Sequence, residues 1–294
     1  MTPERLRAFY AAHRRARPPL QSDPLCGPTL TLPTMQASAS PARSAAVTVC
    51  ATEPCSLALL ASLAGRSWQL AIVNAANNEV PGGGVSFGAS AQEEALCRHT
   101  TLLPSLEGVR KAAYPLSPTD LSPLGKVLLT PCVRWLCPPD SRRSGSGPPS
   151  YLDHRIVRAY EQAPAPTQAR WFVPDGPGFA VVSVAAPARS RHGSVDPAEV
   201  QAVMHVRFVA MWQAVAASRA THLVLPIPGC GCFAVGPDGR VDEAFVRAIV
   251  AALVASLASA PAVMVLIPSM GPEVHAALVA ASQRRPAGRR FVFA

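Results

Sequence analysis

The stretch "VNAANNEVPGGGVSFGASAQEEALCRH", residues 73–99, holds more special residues than a simple turn needs. Asparagines open it, three glycines follow at 82–84, and two adjacent carboxylates, Glu93 and Glu94, come next. One or two glycines satisfy a structural turn, and one acid suffices to complement the dipole of a starting helix. The surplus predicts a ligand site.

The glycines indicate an anion-binding backbone. Consecutive glycines let the chain pass close to a ligand with its N–H groups turned inward. A second glycine-rich segment, "PGCGCF" at 228–233, also follows an apolar run. Two such loops suit a diphosphate held by backbone N–H groups. The sequence contains no GxxxxGK[ST] motif, so the lysine of a nucleotide-hydrolysing P-loop is missing. Two loose turns are the structural alternative.

The two adjacent carboxylates indicate acid/base chemistry on a sugar. Adjacent residues of a helix point about 100° apart, so Glu93 and Glu94 can reach one ligand from different angles. One would orient a hydroxyl while the other transfers a proton to a glycosidic oxygen. Asn74 and either Asn77 or Asn78, at the end of a predicted strand, would offer amides to hydroxyls. Acids in a first helical turn and asparagines in turns also have purely structural uses, and that interpretation stays open.

Apolar runs alternate with helical patterns along the chain. The predicted strands are 45–51, 68–76, 125–136, 179–187, 222–229 and 262–268, and the predicted helices are 56–65, 91–106, 196–219 and 241–258. Buried strands alternating with helices predict an α/β fold with a mainly parallel sheet covered on both faces. Loops that follow parallel strands share one edge of the sheet, so both glycine-rich segments are expected at one crevice.

The predicted organisation is one domain with basic ends. A basic, proline-rich arm with a short helix spans 1–45, the catalytic domain spans 46–280 with a flexible insertion at 138–150, and a basic tail spans 281–294. The cations are 25 arginines and 2 lysines, and the net charge of +9 favours an anionic partner. Solvated arms explain the same charge without a partner.

Neither a metal nor a cofactor is expected. The eight cysteines form no CxxC pairs and no zinc-finger spacing, and no histidine stands beside a nucleophile motif. The longest uncharged run, 248–272, is broken at Pro261, which favours a helix and a strand over a membrane span. Because the N-terminus lacks the apolar region of a signal peptide, an intracellular location is predicted, cytoplasmic or, in a eukaryotic host, nuclear. A monomer is expected.

The segment "PGGGVSFGASAQEEALCRHTTLLPSL" resembles the signature of the microbial-type poly(ADP-ribose) glycohydrolases. In that family three glycines precede QEE after a spacer of six to eight residues, and here seven residues separate Gly84 from Gln92. The "IVNAANN" segment is similar to the ADP-ribose-binding loop of macrodomains, and "LVLPIPGCGCF" to their phosphate loop. The resemblance covers about residues 45–270.

The resemblance implies a macrodomain-like three-layer α/β/α sandwich that hydrolyses the ribose–ribose bonds of poly(ADP-ribose) without a metal. Glu94 would be the catalytic acid/base, and Glu93 would hold the distal ribose hydroxyls. The residues implied in ligand binding are Asn74, Asn77, Gly82, Gly83, Gly84, Gln92, Gly229, Cys230, Gly231, Cys232 and Phe233.

The implied partners are ADP-ribose, poly(ADP-ribose) and ADP-ribosylated macromolecules. Two alternatives remain: a non-catalytic ADP-ribose reader, and a hydrolase of ADP-ribose units attached to protein or nucleic acid. The glutamate pair favours an enzyme, because a reader needs no group that transfers a proton. A protein that binds nucleic acid through its basic ends is a third class, but the sequence has no stacking set or known motif for it.

Overall fold

A computed structural model describes the core of the chain. The described residues are 29–33, 46–49, 56–63, 69–136, 174–192, 195–283 and 291–293, together with four isolated positions in the first eleven. The predicted insertion at 138–150 lies outside them, as does nearly all of the predicted N-terminal helix.

Eight strands of the described residues form one sheet. They are β1 (Leu30–Pro33), β2 (Ala46–Val49), β3 (Leu70–Ala76), β4 (Lys126–Leu136), β5 (Pro174–Ala185), β6 (His222–Val224), β7 (Met264–Ile267) and β8 (Phe291–Phe293). Their spatial order is β1-β4-β5-β3-β6-β7-β2-β8. The two pairings that involve β4 are antiparallel and all others are parallel, as the sequence pattern predicts.

Helices cover both faces of this sheet. They are α1 (Ser56–Leu63), α2 (Gln92–His99), α3 (Leu102–Gly108), α4 (Arg110–Ala113), α5 (Pro197–Ser218), α6 (Glu243–Ser256) and α7 (Pro272–Gln283). Side chains of β3 alternate between two apolar clusters, because successive residues of a strand face opposite ways. Val73 packs with α5, α6 and α7, whereas Ile72 packs with α1, α2 and α3. The predicted three-layer α/β/α sandwich is confirmed.

Local chemistry sets the ends of the long helices. Asp196 caps α5 by accepting a bond from the Ala198 N–H at 2.9 Å, and Pro197 occupies the first helical position, where no N–H is needed. Asp242 caps α6 in the same way, accepting from the Phe245 N–H at 3.0 Å. Both caps lie within two residues of the predicted helix starts.

The predicted helix at 91–106 is in fact two helices. Thr100 leaves the helical path and pairs with Trp135 of β4 through an isolated bridge. Its hydroxyl donates to the Leu96 carbonyl at 2.7 Å and accepts from the Leu102 N–H at 3.2 Å. Pro104 is tolerated just after this break because the first turn of a helix leaves its N–H groups unpaired. The break turns α3 toward the sheet.

The sheet extends beyond the predicted catalytic domain at both ends. Residues 30–33, assigned to the N-terminal arm, form β1 and pair with β4, and residues 291–293, assigned to the tail, form β8 and pair with β2. Helix α7 also ends at Gln283, past the predicted limit of 280. Runs of three or four apolar residues inside proline- or arginine-rich sequence gave too weak a pattern to predict these edge strands. The strands β1 and β8 and the end of α7 lie outside the bounds of 46 and 280 predicted for the catalytic domain.

Candidate active site

The loops after β3, β6 and β7 meet at one edge of the sheet and enclose a cleft with a cavity of about 170 Å³. It is lined by Ala75, Asn77, Ala91, Gln92, Glu93, Glu94, Pro226, Ile227, Gly229, Gly231, Cys232, Phe233 and Met270. The strands that lead into it are neighbours in the sheet and parallel, so their carboxyl ends coincide. The two glycine-rich segments therefore lie at the predicted common crevice.

Glu93 is the second residue of α2 and lines the cleft, with 3% of its surface exposed. The Asn77 N–H donates to Oε2 at 2.7 Å, and the Gly82 N–H and the Asn74 amide donate to Oε1 at 3.2 and 3.3 Å. Burial raises the pKa of Glu93 to about 8, which the Asn77 N–H opposes and the charge of Glu94 reinforces. Because a carboxylate oxygen can accept two bonds, Oε2 keeps one acceptor position for a ligand hydroxyl.

Glu94 is held differently. Its Oε1 accepts from the Gly84 N–H at 2.9 Å. Its Oε2 is buried and, within the described part of the chain, has no hydrogen-bond partner. A buried carboxylate oxygen without a partner is costly, and sites that retain one are commonly functional. Glu94, which carries this oxygen, lines the cleft.

Gln92 fixes the start of α2 against the sheet. Its side-chain amide donates to the Val73 carbonyl at 2.9 Å and accepts from the Ala75 N–H, also at 2.9 Å. These two bonds imitate one step of a β-ladder along the edge of β3. They place the next residues, Glu93 and Glu94, directly at the end of the strand.

The glycine run has no room for side chains. Gly83 has φ +53°, and a Cβ there would lie 2.7 Å from Glu94 Oε1 and 3.0 Å from Glu93 Oε2. Gly82 has φ +73°, and its Cβ would meet Leu103 at 2.7 Å. Only glycine combines the left-handed backbone with such close approach. The run therefore lays its backbone directly on the two carboxylates.

Arg98 holds the far side of this loop. It is buried on α2, and its Nη2 donates to the carbonyls of Val85, at 3.3 Å, and Ala89. Between these carbonyls the chain makes the 3₁₀ turn Val85–Phe87, which leaves Phe87 exposed. A guanidinium fork suits two converging carbonyls. The loop that bonds Glu93 and Glu94 is thus anchored just after the glycine run.

The second glycine-rich loop forms the opposite wall. Gly229 has φ +89°, and a Cβ there would lie 2.6 Å from Ile249. Burial and the nearby charge of Glu94 raise the pKa of the Cys232 thiol, while the N–H groups of Cys232 and Phe233 oppose that shift. Those two N–H groups favour negative charge at this position, as a bound phosphate requires.

The predicted site residues separate into two layers. Those that line the cleft are Asn77, Gln92, Glu93, Glu94, Gly229, Gly231, Cys232 and Phe233. Asn74 and Cys230 lie beneath it: Asn74 has no exposed surface and bonds Glu93 and Ser183, and Cys230 packs in the core, where burial raises the pKa of its thiol. The contact of these two residues with a ligand stays a prediction.

The asparagines serve turns more than ligands. The Asn77 side chain accepts from the N–H groups of Glu79 and Val80 at 2.8 and 3.0 Å, closing a turn of its own. Asn78 exchanges two bonds with the backbone of Ser117, at 2.8 and 3.0 Å. Both side chains therefore bond backbone groups of the loops, and the Asn77 backbone N–H is the group that bonds Glu93.

Three contributors were not predicted. Ser183 accepts from Asn74, and it is the polar residue within the buried run "AVVSVA", a signal that was present in the sequence. Met270 lines the cleft, and its place just after β7 could have been inferred from the shared strand ends. Burial and the charge of Glu93 raise the pKa of the Tyr114 hydroxyl, so this phenol lies near the site, for which the sequence had no local signal.

The protein has a macrodomain-like fold, an α/β/α sandwich with two glycine-rich loops at one cleft. The cleft also contains a pair of glutamates. Residues 28–126 match the family described as microbial-type PARG, catalytic domain. This segment contains the glycine run, Gln92 and both glutamates. The match confirms the resemblance predicted from the signature.

Solved structures of poly(ADP-ribose) glycohydrolases share the fold over nearly the whole chain. The enzyme from Thermomonospora curvata is 20% identical with a TM-score of 0.57, covering 95% of this chain and 98% of its own. The one from Deinococcus radiodurans, in complex with ADP-ribose, is 20% identical with a TM-score of 0.55 and coverages of 96% and 92%. The T. curvata enzyme bound to the inhibitor ADP-HPD is 21% identical with a TM-score of 0.58 and coverages of 94% and 99%. A comparison with curated proteins found no match.

Two features are absent from the described residues. No group of three or more histidine, cysteine, aspartate or glutamate side chains there is placed to hold a metal ion. Likewise, no described helix combines the length and the apolarity that crossing a membrane requires.

Proposed function

We propose that this protein is a poly(ADP-ribose) glycohydrolase, which hydrolyses the ribose–ribose O-glycosidic bonds of ADP-ribose chains and releases ADP-ribose. The observation that carries the proposal is Glu94, whose Oε2 has no hydrogen-bond partner among the described residues of a cleft that Glu94 lines. The family match over residues 28–126 and the fold shared with glycohydrolases support it.

The proton steps fall to Glu94. Cleavage of a ribosyl bond passes through an oxocarbenium-like state, and the leaving oxygen needs a proton as the bond stretches. Protonated Oε2 of Glu94 supplies that proton, and the resulting carboxylate then accepts one from the water that attacks the ribosyl carbon. The Gly84 N–H keeps Oε1 fixed throughout, which orients Oε2.

Glu93 holds the sugar. Three N–H groups, from Asn74, Asn77 and Gly82, fix its carboxyl group and leave one position at Oε2 for a hydrogen bond to a ribose hydroxyl. Gly83, with no side chain, lets the backbone of the loop lie against both carboxyl groups.

The diphosphate binds across the second loop. The N–H groups of Cys232 and Phe233 lie at this wall and favour negative charge there, and α6 begins ten residues after Phe233, at Glu243. Apolar side chains of Ile227, Phe233 and Met270 complete the cleft for the nucleoside part.

The test is product release from substrates of defined chemistry. The protein is incubated with poly(ADP-ribose) of known length, with a protein that carries single ADP-ribose units, and with ADP-ribosylated nucleic acid, and free ADP-ribose is measured by chromatography. Release from the chains is expected. Release from the single-unit substrates alone would move the activity to a mono-ADP-ribosyl hydrolase.

Calorimetry separates an enzyme from a reader. ADP-ribose should bind with clear preference over AMP, because AMP lacks the diphosphate and the distal ribose. Tight binding of ADP-ribose without release from any of the three substrates would assign the protein to the readers. Equal affinity for ADP-ribose and AMP would remove the diphosphate site.

A further inference from the structure

A buried cation lies outside the cleft and behind its floor. Arg207, on α5, is 3% exposed, and its Nη1 donates to the Ala185 carbonyl at 3.0 Å. Its Nη2 faces three acceptors: the Ser117 hydroxyl at 3.0 Å and the carbonyls of Asp120 and Ser122 at 2.8 and 3.1 Å. All four acceptors are neutral. Burying a guanidinium without a bonded carboxylate costs free energy. Four acceptors that converge on such a buried group therefore indicate a specific role for it.

The guanidinium stays charged in this position. Burial lowers the pKa of Arg207 to about 10, and the charge of Asp120 opposes that shift. The cation is therefore retained at neutral pH and strengthens each of its hydrogen bonds. Its hydrogen bonds join residues 117–122 to the end of β5.

From this segment a continuous set of bonds leads to the cleft. Ser117 exchanges two bonds with the Asn78 side chain, at 2.8 and 3.0 Å, and the Leu116 N–H donates to the Asn78 carbonyl at 2.9 Å. Residues 116 and 117 therefore bond both the side chain and the backbone of Asn78. Its neighbour Asn77 donates its N–H to Glu93 Oε2 at 2.7 Å, the shortest of the three bonds to that carboxylate.

The same segment reaches the loop after β5. The Asp120 carboxylate accepts from the Ala188 N–H at 3.4 Å and lies 3.7 Å from both Arg191 Nη1 and His192 Nε2. Arg191 also pairs with Glu79, at 2.7 Å, two residues after Asn77. The segment held by Arg207 therefore fixes the loop of Asn77 and Asn78 from two sides.

We infer that Arg207 is a positioning residue for the glycohydrolase reaction: through Ser117 and Asn78 it holds the Asn77 N–H on Glu93. The inference rests on the proposed function. Arg207 touches neither the substrate nor the reacting atoms. Its loss changes the orientation of the Glu93 carboxylate and, with it, the placing of the ribose against Glu94.

The test compares two variants of the full chain with a matched control. Arg207→Lys keeps a cation but loses the planar fork. Ser117→Ala leaves the arginine in place and removes the hydroxyl that accepts from it and that also donates to the carbonyls of Thr119 and Leu124, at 2.7 and 3.2 Å. Trp212→Phe is the control: it lies on the same helix, is fully buried and loses a bond of 2.9 Å to Ser256 in the core. All three lose buried hydrogen bonds, but the control has no path to the cleft.

Two readouts are taken on each variant, steady-state kinetics on poly(ADP-ribose) and the exchange rate of the Asn77 amide proton by NMR. For Arg207→Lys and Ser117→Ala we expect kcat to fall about tenfold or more, since small misplacements of catalytic groups are costly, with KM within about threefold of the parent. Exchange at Asn77 should accelerate about tenfold, because its hydrogen bond opens more often. Trp212→Phe should melt earlier and change neither readout.

The outcomes are distinct. A kcat in both variants that falls no further than in the control, or an unchanged Asn77 exchange rate, overturns the positioning role. If Arg207→Lys does not fold, Ser117→Ala decides alone. A parent that turns over no chain contradicts the proposed function instead, and the amide exchange then tests the link between Arg207 and Asn77 separately.

Discussion

Glu93 and Glu94 are neighbours in sequence, yet their surroundings give them different tasks. Glu93 accepts three N–H groups on its two oxygens, whereas Glu94 accepts one and keeps the other oxygen without a partner among the described residues. The sequence predicted this pair because its signal is local: glycines, a spacer and two acids. It did not predict Ser183, which supports Asn74 from 109 residues away: the polar residue within a buried run was visible, but not its partner, since a contact at that separation leaves no pattern in one chain.

Gly83→Ala tests the close approach of the loop to the carboxylates. The new methyl group would stand 2.7 Å from Glu94 Oε1 at a residue with φ +53°, so the loop must move and release the carboxylates. Turnover of poly(ADP-ribose) should drop at least about a hundredfold. Gly108→Ala, where a Cβ meets nothing within 4 Å, is the control and should keep parental turnover. Near-parental activity in Gly83→Ala would disprove the tight contact.

The buried carboxylate of Glu93 predicts how stability depends on pH. Its pKa is raised from 4.5 to about 8, so between those values the folded protein keeps a proton that the unfolded chain releases. The free energy of unfolding should therefore fall as pH rises through this window, by about 1 kcal/mol per pH unit at the steepest. In Glu93→Gln this contribution is absent. Urea unfolding at several pH values measures both slopes, and identical slopes would contradict the assignment.

Elements with a clear period or cap were predictable. The helices α5 and α6 begin within two residues of their predicted starts, and the first turn of α5 contains Pro197, as the sequence indicates. The break at Thr100 was not predictable, because it depends on pairing with Trp135 of β4. The edge strand β1 was missed for the same reason: four residues gain their conformation from a partner almost a hundred positions later.

Arg98→Met tests whether Arg98 stabilises the loop that contains the glycine run 82–84. Methionine fills similar space but cannot bond the carbonyls of Val85 and Ala89, so the 3₁₀ turn between them loses its anchor. We expect kcat on poly(ADP-ribose) to fall roughly tenfold. Calorimetry should show ADP-ribose still binding at the opposite wall. Unchanged kcat would mean that the glycine run keeps its shape without the arginine.

The molecule as a whole presents its site in the middle of the sheet. The cleft stands over the ends of β3, β6 and β7, while β1 lies at one edge and β8 at the other. The class of fold and the meeting of the two loops followed from the alternation of strands and helices. A monomeric state and an intracellular location stay predictions, as does the role of the basic ends.

Truncation tests where the fold begins. A variant that starts at residue 29 keeps β1 and the bond between the hydroxyls of Thr29 and Thr130, at 3.0 Å. A variant that starts at residue 34 loses both and should melt several degrees lower. Both should bind ADP-ribose like the parent, because β4 and β5 separate β1 from β3. Lost binding in the longer variant would make the arm part of the site.

The most direct measurement of the central claim compares the parent with Glu94→Gln on poly(ADP-ribose) of defined length. Glutamine keeps the shape and can still accept from the Gly84 N–H, but it cannot give up and regain a proton. We predict that Glu94→Gln binds ADP-ribose about as tightly as the parent by calorimetry and releases ADP-ribose at least ~10²-fold more slowly. Release at the parental rate would show that the acid lies elsewhere and would contradict the account.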